Sequence, residues 1–176
     1  GSSKNIKNLT EAKLVCKEIG YPILIKATNG GGGRGIKKVL SENKLKENFI
    51  LAKKEAEKSF GNDDVYFEKY LENPRHIEVQ IIGDSNGTIL HIGERECSIQ
   101  RRSQKIIEEC PSPGITDQER VYLNEISLNA MKKIGYENLG TIEYLYSQGN
   151  FYFIEMNTRL QVEHTITEEV YNLDIV

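Results

Sequence analysis

The most informative stretch of this chain is Ile154-Glu155-Met156-Asn157-Thr158-Arg159-Leu160-Gln161-Val162-Glu163-His164-Thr165-Ile166-Thr167. From residue 155 to residue 163 every odd position is polar, and the even positions are Met, Thr, Leu and Val. In an extended chain alternate side chains point the same way, so the pattern predicts one face carrying carboxylates, an amide and a guanidinium. Such groups can hold a metal-bound phosphate and a small anion.

The composition narrows the possible classes of protein. A length of 176 residues fits one large domain or two small ones. The net charge of −3 argues against a general nucleic-acid binder. We see neither an apolar run of membrane-spanning length nor a signal peptide, and we expect a cytoplasmic protein with no membrane association. The three cysteines are far apart, which indicates reduced thiols rather than disulfides.

Periodicity and turn residues predict three helices. The first is expected over residues 10–19, with Thr10 as N-cap, and the second follows Ser41. The third begins at a capping box, Thr116-Asp117-Gln118-Glu119. The side chains expected to face inward are Leu45, Phe49, Ala52 and Ala56 in the second helix, and Leu123, Ile126, Ala130 and Ile134 in the third.

The predicted strands favour hairpins in the second part of the chain. They cover residues 23–27, 36–39, 65–71, 76–82, 88–97, 139–146 and 151–157. Because hairpins replace β-α-β units after residue 70, we predict an α+β fold with an antiparallel sheet. We expect a small first lobe at residues 4–71 and a larger second lobe at residues 72–176.

A glycine-rich loop, residues 29–35, joins the first two predicted strands. A dinucleotide-binding turn would lead into a helix, and a P-loop would end in Gly-Lys-Ser/Thr, so both are excluded. With Lys26 on the preceding strand, the loop predicts a flap whose N–H groups close over phosphates. The alternative is a surface hairpin with no ligand.

The last hairpin suggests a metal site. If its loop is three residues long, Gln148 to Asn150, Glu143 lies opposite Glu155, and facing carboxylates repel unless a cation joins them. Asn157 is the next polar group on that face, and oxygen ligands favour Mg²⁺ or Mn²⁺. By parity, Phe151 and Phe153 would share this face. A two-residue loop would break the pairing, and a solvated acidic face is the alternative.

The remaining charged residues have two interpretations. Residues 100–105 form a basic stretch that is typical of a surface turn. Arg159 and Glu163 could hold an oxyanion and act as a base, or could form a structural salt bridge. His76 is predicted to lie on the polar side of its strand.

Several segments together resemble the biotin carboxylase family of the ATP-grasp fold. They are Ile25-Lys26-Ala27, residues 30–35, Glu68-Lys69-Tyr70-Leu71, residues 72–78, residues 94–102, Gln104-Lys105 and residues 153–164. The resemblance implies use of ATP and Mg²⁺, or Mn²⁺, to activate bicarbonate as carboxyphosphate, which then carboxylates biotin on a carrier protein. It is most like the biotin carboxylase subunit of acetyl-CoA carboxylase, in fatty acid biosynthesis.

The resemblance also implies residue roles. ATP phosphates would be held by Lys26, Gly31, Gly32 and Gly33, adenine by Glu68, Lys69 and Leu71, and the ribose side by His76 and Gln100. Glu143 and Glu155 would bridge the nucleotide and the metal, assisted by Asn157. Bicarbonate would be bound by Lys105, Arg159, Gln161 and Val162, with Glu163 as its base.

Two departures and the length qualify this resemblance. Ser103 stands where family members often have His or Asn, and Thr165 stands where they commonly have Pro. Family chains extend further at both ends, so we expect a central portion that is inactive and monomeric alone, within a dimeric protein that works with a biotin carrier and a carboxyltransferase. The alternatives are another ATP-grasp ligase, such as a carbamoyl-phosphate-synthase-like domain, and a non-catalytic nucleotide-binding module.

Overall fold

The structure is a computed structural model that describes residues 1–30, 34–102 and 104–176. The predictions for Gly31, Gly32, Gly33 and Ser103 therefore lie outside the described residues. The chain divides into two compact units, Gly1–Leu71 and Glu72–Val176, and each is described by itself. Across the described ranges, no helix has the length and hydropathy needed to cross a membrane.

The first unit packs two helices against a three-stranded antiparallel sheet. The strands are β1 (Ile23–Ala27), β2 (Ile36–Val39) and β3 (Val65–Lys69), in the order β2-β1-β3. Alternate residues of β1 and β3 are buried, as expected for a sheet with one face on the core. The helices are α1 (Leu9–Ile19) and α2 (Leu45–Phe60), the latter after a 3₁₀ turn at Glu42–Lys44.

The predictions for this unit are close to the structure. The bounds of β1 and β2 and the four inward residues of α2 are confirmed. The predicted N-cap of α1 is wrong, because Asn8 rather than Thr10 accepts the hydrogen bond from the Glu11 amide. Strand β3 ends at Lys69, two residues earlier than expected.

The second unit is a five-stranded antiparallel sheet in the order β6-β5-β4-β7-β8. Its strands are β4 (Arg75–Gly83), β5 (Ile89–Arg101), β6 (Gln104–Glu109), β7 (Asn138–Ser147) and β8 (Asn150–Asn157). Two helices complete the unit, α3 (Asp117–Ile134) and α4 (His164–Tyr171). Strand β6 was not predicted, because residues 104 and 105 were assigned to a basic turn.

Helix α3 begins at the predicted capping box, which is confirmed, but its inward face is partly wrong. Leu123 is buried and Ile126 is half-buried, whereas Ala130 and Ile134 are exposed. The buried residues are Leu123, Asn124, Ser127 and Met131. Ser127 can be buried because its hydroxyl donates to the Leu123 carbonyl and meets the Tyr144 hydroxyl at 2.9 Å.

The five-stranded sheet has two unlike faces. The apolar face carries Ile77, Val79 and Ile81, which form a core with α3 residues such as Leu123. The polar face is formed by the alternate positions, and its central strands contribute Glu78, Gln80, Arg95, Thr141 and Glu143. All five of these polar residues are buried.

Candidate active site

The sheet register brings the polar side chains of three strands together. Glu78 of β4 lies opposite Glu143 of β7, which lies opposite Glu155 of β8. One step along the same face, Thr141 lies opposite Asn157. Because directly opposite residues share a face, this ladder concentrates carboxylates in one region of the polar face.

The β7–β8 hairpin reaches this register in an unexpected way. Its loop has two residues, Gln148 and Gly149, because Ser147 pairs with Asn150, so the predicted three-residue loop is wrong. The register then shifts between the pairs Tyr144–Phe153 and Glu143–Glu155, which leaves Ile154 as an extra residue. This β-bulge restores the pairing of the two glutamates that the sequence predicted.

The bulge also corrects the prediction for the aromatic residues. Phe153 pairs with Tyr144, and their rings lie 6.3 Å apart on the apolar face. Phe151 lies on the same side, at 6.3 Å from the Tyr144 ring. These phenylalanines are therefore on the face opposite to Glu155, because the extra residue reverses the alternation between residues 153 and 155.

The predicted extended face does not continue to residue 163. Strand β8 ends at Asn157, and the residues between it and α4 form a loop. This loop turns Gln161 back toward the sheet, where it is buried and its side-chain amide donates to Glu143 Oε1 at 2.9 Å. Arg159 is exposed and donates to the Leu160 carbonyl, and Val162 is 89% exposed.

A lysine lies at the centre of the polar side chains. The ammonium of Lys105, on β6, forms ion pairs with Glu78 and Glu163 and lies 3.0 Å from Glu143 Oε1. Asn157 also donates to Glu143 Oε1, at 2.8 Å. Three carboxylates on different elements thus share one cation, and they raise the pKa of Lys105 even though burial opposes its charge.

His76 adds a second titratable group beside these carboxylates. Its Nε2 atom lies 3.0 Å from Glu143 Oε2 and 3.7 Å from Glu78 Oε2. Burial disfavours the charged imidazolium, but the carboxylates of Glu143 and Glu78 beside it outweigh burial and raise the pKa of His76 to about 9. Burial likewise disfavours the charged forms of both carboxylates, yet the adjacent His76 and the nearby cations hold the pKa of each at about 2.

Two members of this arrangement were missed by the sequence analysis, Glu78 and Arg95. The guanidinium of Arg95 is completely buried and donates from Nε to Glu78 Oε1 at 2.6 Å. A signal was present, because Glu78 lies between Ile77 and Val79 on a strand whose alternation predicts a polar side. We refer to Lys105, Glu78, Glu143, Glu163 and His76 as the Lys105 cluster.

The polar face offers two sets of metal ligands. Candidate ligand atoms of His76, Glu78 and Glu143 lie within 4.8 Å of one another, but the Lys105 ammonium already pairs with two of these residues. The second set is the predicted one of Glu143, Glu155 and Asn157, which the β7–β8 register places on one face. Glu155 is exposed, and no hydrogen bond or ion pair to it is found within residues 1–30, 34–102 and 104–176. Its carboxylate and Glu143 Oε2 supply the oxygen atoms that Mg²⁺ prefers.

The predicted nucleotide residues of the first unit include an ion pair. Lys26 lies 2.7 Å from Glu68, and both side chains are partly exposed. The Lys69 ammonium donates to the carbonyls of Gly20 and Tyr21, at 3.0 and 3.1 Å, and Leu71 is half-buried. In the second unit, Gln100 donates to the Cys97 carbonyl at 2.8 Å and lies opposite Lys105 in the β5–β6 pairing.

Comparison with known proteins identifies the family. Residues 1–176 match the family model described as "Carbamoyl-phosphate synthase L chain, ATP binding domain". The chain belongs to this family. Its sequence is 51% identical over 177 residues to the biotin carboxylase of Haemophilus influenzae, and the match covers 100% of this chain and 40% of that protein.

Two further proteins show the same likeness. The 2-oxoglutarate carboxylase small subunit of Hydrogenobacter thermophilus is 51% identical, over 100% of this chain and 38% of that protein. A solved complex of Campylobacter jejuni biotin carboxylase with β,γ-ATP is 50% identical and has a TM-score of 0.94, covering 99% of this chain and 40% of that chain. The predicted α+β fold and its ATP-grasp type are thereby confirmed.

The chain spans about two fifths of the length of the curated relatives it matches. It thus aligns with only a part of each of those proteins, and all of it matches the ATP-binding domain model. Its antiparallel sheets and its helices superpose on those of the solved relatives, with TM-scores of 0.93 and 0.94 for two of them.

Proposed function

We propose that this chain provides the ATP-binding and bicarbonate-activating part of a biotin carboxylase. The longer protein would use ATP, a divalent cation and bicarbonate to carboxylate biotin held on a carrier protein or domain. The observation that carries this proposal is the Lys105 ammonium held by Glu78, Glu143 and Glu163. It combines a fixed cation with a carboxylate at the start of a helix, next to side-chain amides that can bind an oxyanion.

The chemistry assigns different tasks to these groups. The carboxylate of Glu163 would accept the proton of bicarbonate, and a bicarbonate oxygen would then attack the γ-phosphorus as ADP leaves. Lys105 would hold the developing negative charge next to the base. Glu143, Glu155 and Asn157 would hold Mg²⁺ or Mn²⁺, which when bound neutralises phosphate charge. The resulting carboxyphosphate would transfer its carboxyl group to a biotin nitrogen, with release of inorganic phosphate and of the proton from that nitrogen.

The relatives support this choice of substrates. A solved biotin carboxylase domain of the Hydrogenobacter thermophilus 2-oxoglutarate carboxylase, 50% identical with a TM-score of 0.93, is a dimer in complex with MgADP, ADP and bicarbonate. We propose the same ligand classes for this chain and a dimeric state for the longer protein. Nucleotide contacts by Lys26, Gly31, Gly32, Gly33, Glu68, Lys69, Leu71, His76 and Gln100 are part of the proposal, as are bicarbonate contacts by Arg159, Gln161 and Val162.

The acceptor that finally receives the carboxyl group belongs to the proposal as well. We propose acetyl-CoA, and hence a carboxyltransferase partner and a cytoplasmic role in fatty acid biosynthesis, because several relatives are named simply biotin carboxylase. Pyruvate carboxylase of Staphylococcus aureus, also 51% identical, represents the alternative. Mixing the longer protein with its carrier, its own carboxyltransferase partner and each acceptor in turn, and measuring labelled carboxylated product, distinguishes them.

The test of the mechanism is the substitution Glu163→Gln in the longer protein. It removes the proposed base while preserving size, so biotin-dependent fixation of labelled bicarbonate should fall by about 100-fold or more. ATP affinity, measured by calorimetry, should change by less than about threefold.

Two further arms complete this experiment. Glu169→Gln alters an exposed carboxylate of α4 and should leave fixation unchanged. The 176-residue chain alone is expected to show little or no biotin carboxylation. Equal loss of fixation and ATP binding in Glu163→Gln would assign Glu163 a structural role instead.

A second candidate function is supported by the description of the matching family model, which names carbamoyl-phosphate synthase. Both reactions would begin with bicarbonate and ATP, so the Lys105 cluster fits either one. ATP hydrolysis stimulated by bicarbonate and biotin favours biotin carboxylase, whereas stimulation by ammonia favours the second candidate. Absence of turnover with either would indicate a nucleotide-binding module without catalysis.

A further inference from the structure

We propose that Arg95 is a positioning residue for the proposed reaction, acting on both Glu78 and Glu163. This inference rests on the proposed function for its effect on catalysis. Arg95 lies on β5 and has the largest of the fully buried side chains among the residues that the structure describes. No direct bond to Lys105 or His76 is found within that part of the chain, so any influence on them passes through its partners.

The guanidinium of Arg95 joins three elements of the second unit. On β4 it donates to Glu78 Oε1 at 2.6 Å and to Gln80 Oε1 at 2.8 Å. On β7 it donates to the Thr141 hydroxyl at 3.3 Å, and on α4 to the Thr167 hydroxyl at 2.9 Å. All four acceptors are buried, so water cannot readily replace the guanidinium.

The bond from Arg95 to Glu78 determines which partners each oxygen of that carboxylate has. Oε1 accepts from Arg95, which leaves Oε2 for the Lys105 ammonium and, at 3.7 Å, for His76. With Arg95 absent, Oε1 would lose its donor and the carboxylate would rotate or take up a proton. Either change would move the Lys105 ammonium away from its present position.

The bond from Arg95 to Thr167 helps to fix the position of the proposed base, Glu163. Glu163 is the residue immediately before α4, and Thr167 lies four residues later, about one helical turn away. A further contact seats α4 on the same strand, because a Cβ atom at Gly93 would lie only 2.0 Å from the Tyr171 hydroxyl. Helix α4 therefore rests on β5 at two points, and Arg95 forms the hydrogen-bonded one.

This role requires an arginine rather than any cation. The planar guanidinium presents five N–H groups in a fixed fork, which allows bonds to three elements at once. A lysine has one nitrogen on a flexible stem and cannot reach the same acceptors together. The substitution Arg95→Lys therefore preserves the charge and tests the geometry.

The experiment compares Arg95→Lys, Thr167→Val and Arg120→Lys in the longer protein. Arg120 is the matched control, because it pairs with the buried Glu94 of the same strand but on the apolar face. For each variant, kcat and KM are measured for biotin-dependent ADP release. Hydrogen–deuterium exchange of residues 164–171 is measured by mass spectrometry.

In Arg95→Lys, kcat should fall by about 10- to 100-fold, as is typical for residues that orient a reacting group. KM for ATP should change by less than about threefold, and residues 164–171 should exchange faster. Thr167→Val removes only the bond to α4 and should cause a smaller loss in the same direction. Arg120→Lys should change neither readout.

Several results would overturn the inference. One is an Arg95→Lys protein whose kcat stays within threefold of the wild type; another is a loss of kcat with unchanged exchange in residues 164–171. If Arg95→Lys does not fold, Thr167→Val decides, and unchanged kcat and exchange in that variant reject the role. If the wild type shows no biotin-dependent turnover, the proposed function fails, while the exchange measurement still tests the anchoring of α4.

Discussion

The two faces of the five-stranded sheet neutralise their buried carboxylates in different ways. On the apolar face, Glu94 and Glu96 each have an arginine, Arg120 at 2.6 Å and Arg75 at 2.5 Å. On the polar face, three carboxylates share the ammonium of Lys105, and one of them, Glu78, also pairs with Arg95 at 2.6 Å. The first arrangement is typical of structural ion pairs, whereas the second is a network in which one ammonium has several carboxylate partners.

The consequence is that loss of one cation should affect the two faces unequally. An unneutralised carboxylate away from water is costly, and on the polar face several carboxylates depend on the same group. On the apolar face, each carboxylate also has hydroxyl or amide donors. Glu96, for example, accepts from the hydroxyls of Ser98 and Ser112.

The largest effect is expected from Lys105→Gln. Because this substitution removes the cation shared by three carboxylates, the free energy of unfolding should fall by about 3–5 kcal/mol. Chemical denaturation of the 176-residue chain at neutral pH measures the change. The control Lys37→Gln removes a lysine paired with the single, half-exposed Glu55, and it should cost less than about 1 kcal/mol. Equal losses in both variants would contradict the contrast between shared and single partners.

A smaller effect with a defined pH dependence is expected from Glu96→Gln on the apolar face. Burial alone would raise the pKa of Glu96, but the bonds from Ser112, Ser98 and Arg75 outweigh it and lower the pKa below its ordinary value. A lowered carboxyl pKa contributes stability above the unfolded value, near 4.5, and this contribution is lost as pH falls through the folded pKa.

Glu96→Gln should therefore lower the free energy of unfolding by about 1–2 kcal/mol at pH 7, because hydrogen bonds to a charged group are lost. The difference from the wild type should shrink as pH falls below about 4.5. Urea denaturation between pH 3 and pH 7 measures it. The control Glu72→Gln changes an exposed carboxylate, and its free energy of unfolding should follow that of the wild type at every pH. If the loss of stability in Glu96→Gln does not change with pH, the assigned cause is rejected.

The sequence predicted the elements better than their contacts. Strands β1 and β2 have the predicted bounds because their apolar alternation and flanking glycines or prolines mark them. The opposition of Glu143 and Glu155 was also correct, but for the wrong reason, since a shorter loop is compensated by a bulge at Ile154. A bulge leaves no alternation signal, so parity alone placed Phe151 and Phe153 on the wrong face.

The candidate site was less predictable because it is assembled from distant segments. Glu78 and Lys105 are 27 residues apart, and Arg95 and Thr167 are 72 residues apart. Their contact depends on strand order and on a loop that returns Gln161 to the sheet, and no local pattern encodes either. The family resemblance supplied Lys105, Gln161 and Glu163, whereas Glu78 and Arg95 were identified only in the structure.

The smallest effect is expected from Gly149→Ala, which tests the hairpin that brings Glu155 to the polar face. Gly149 has a φ of +76° in a two-residue turn, a conformation that costs an L-residue about 1–2 kcal/mol. The free energy of unfolding should fall by about 1 kcal/mol, measured by denaturation of the 176-residue chain. Divalent-cation affinity, measured by calorimetry, should change by less than about threefold if the bulge, rather than the turn, sets the register of Glu143 and Glu155. A loss of cation binding without a loss of stability would show that the turn sets this register, and the contrast between the faces would then depend on the loop.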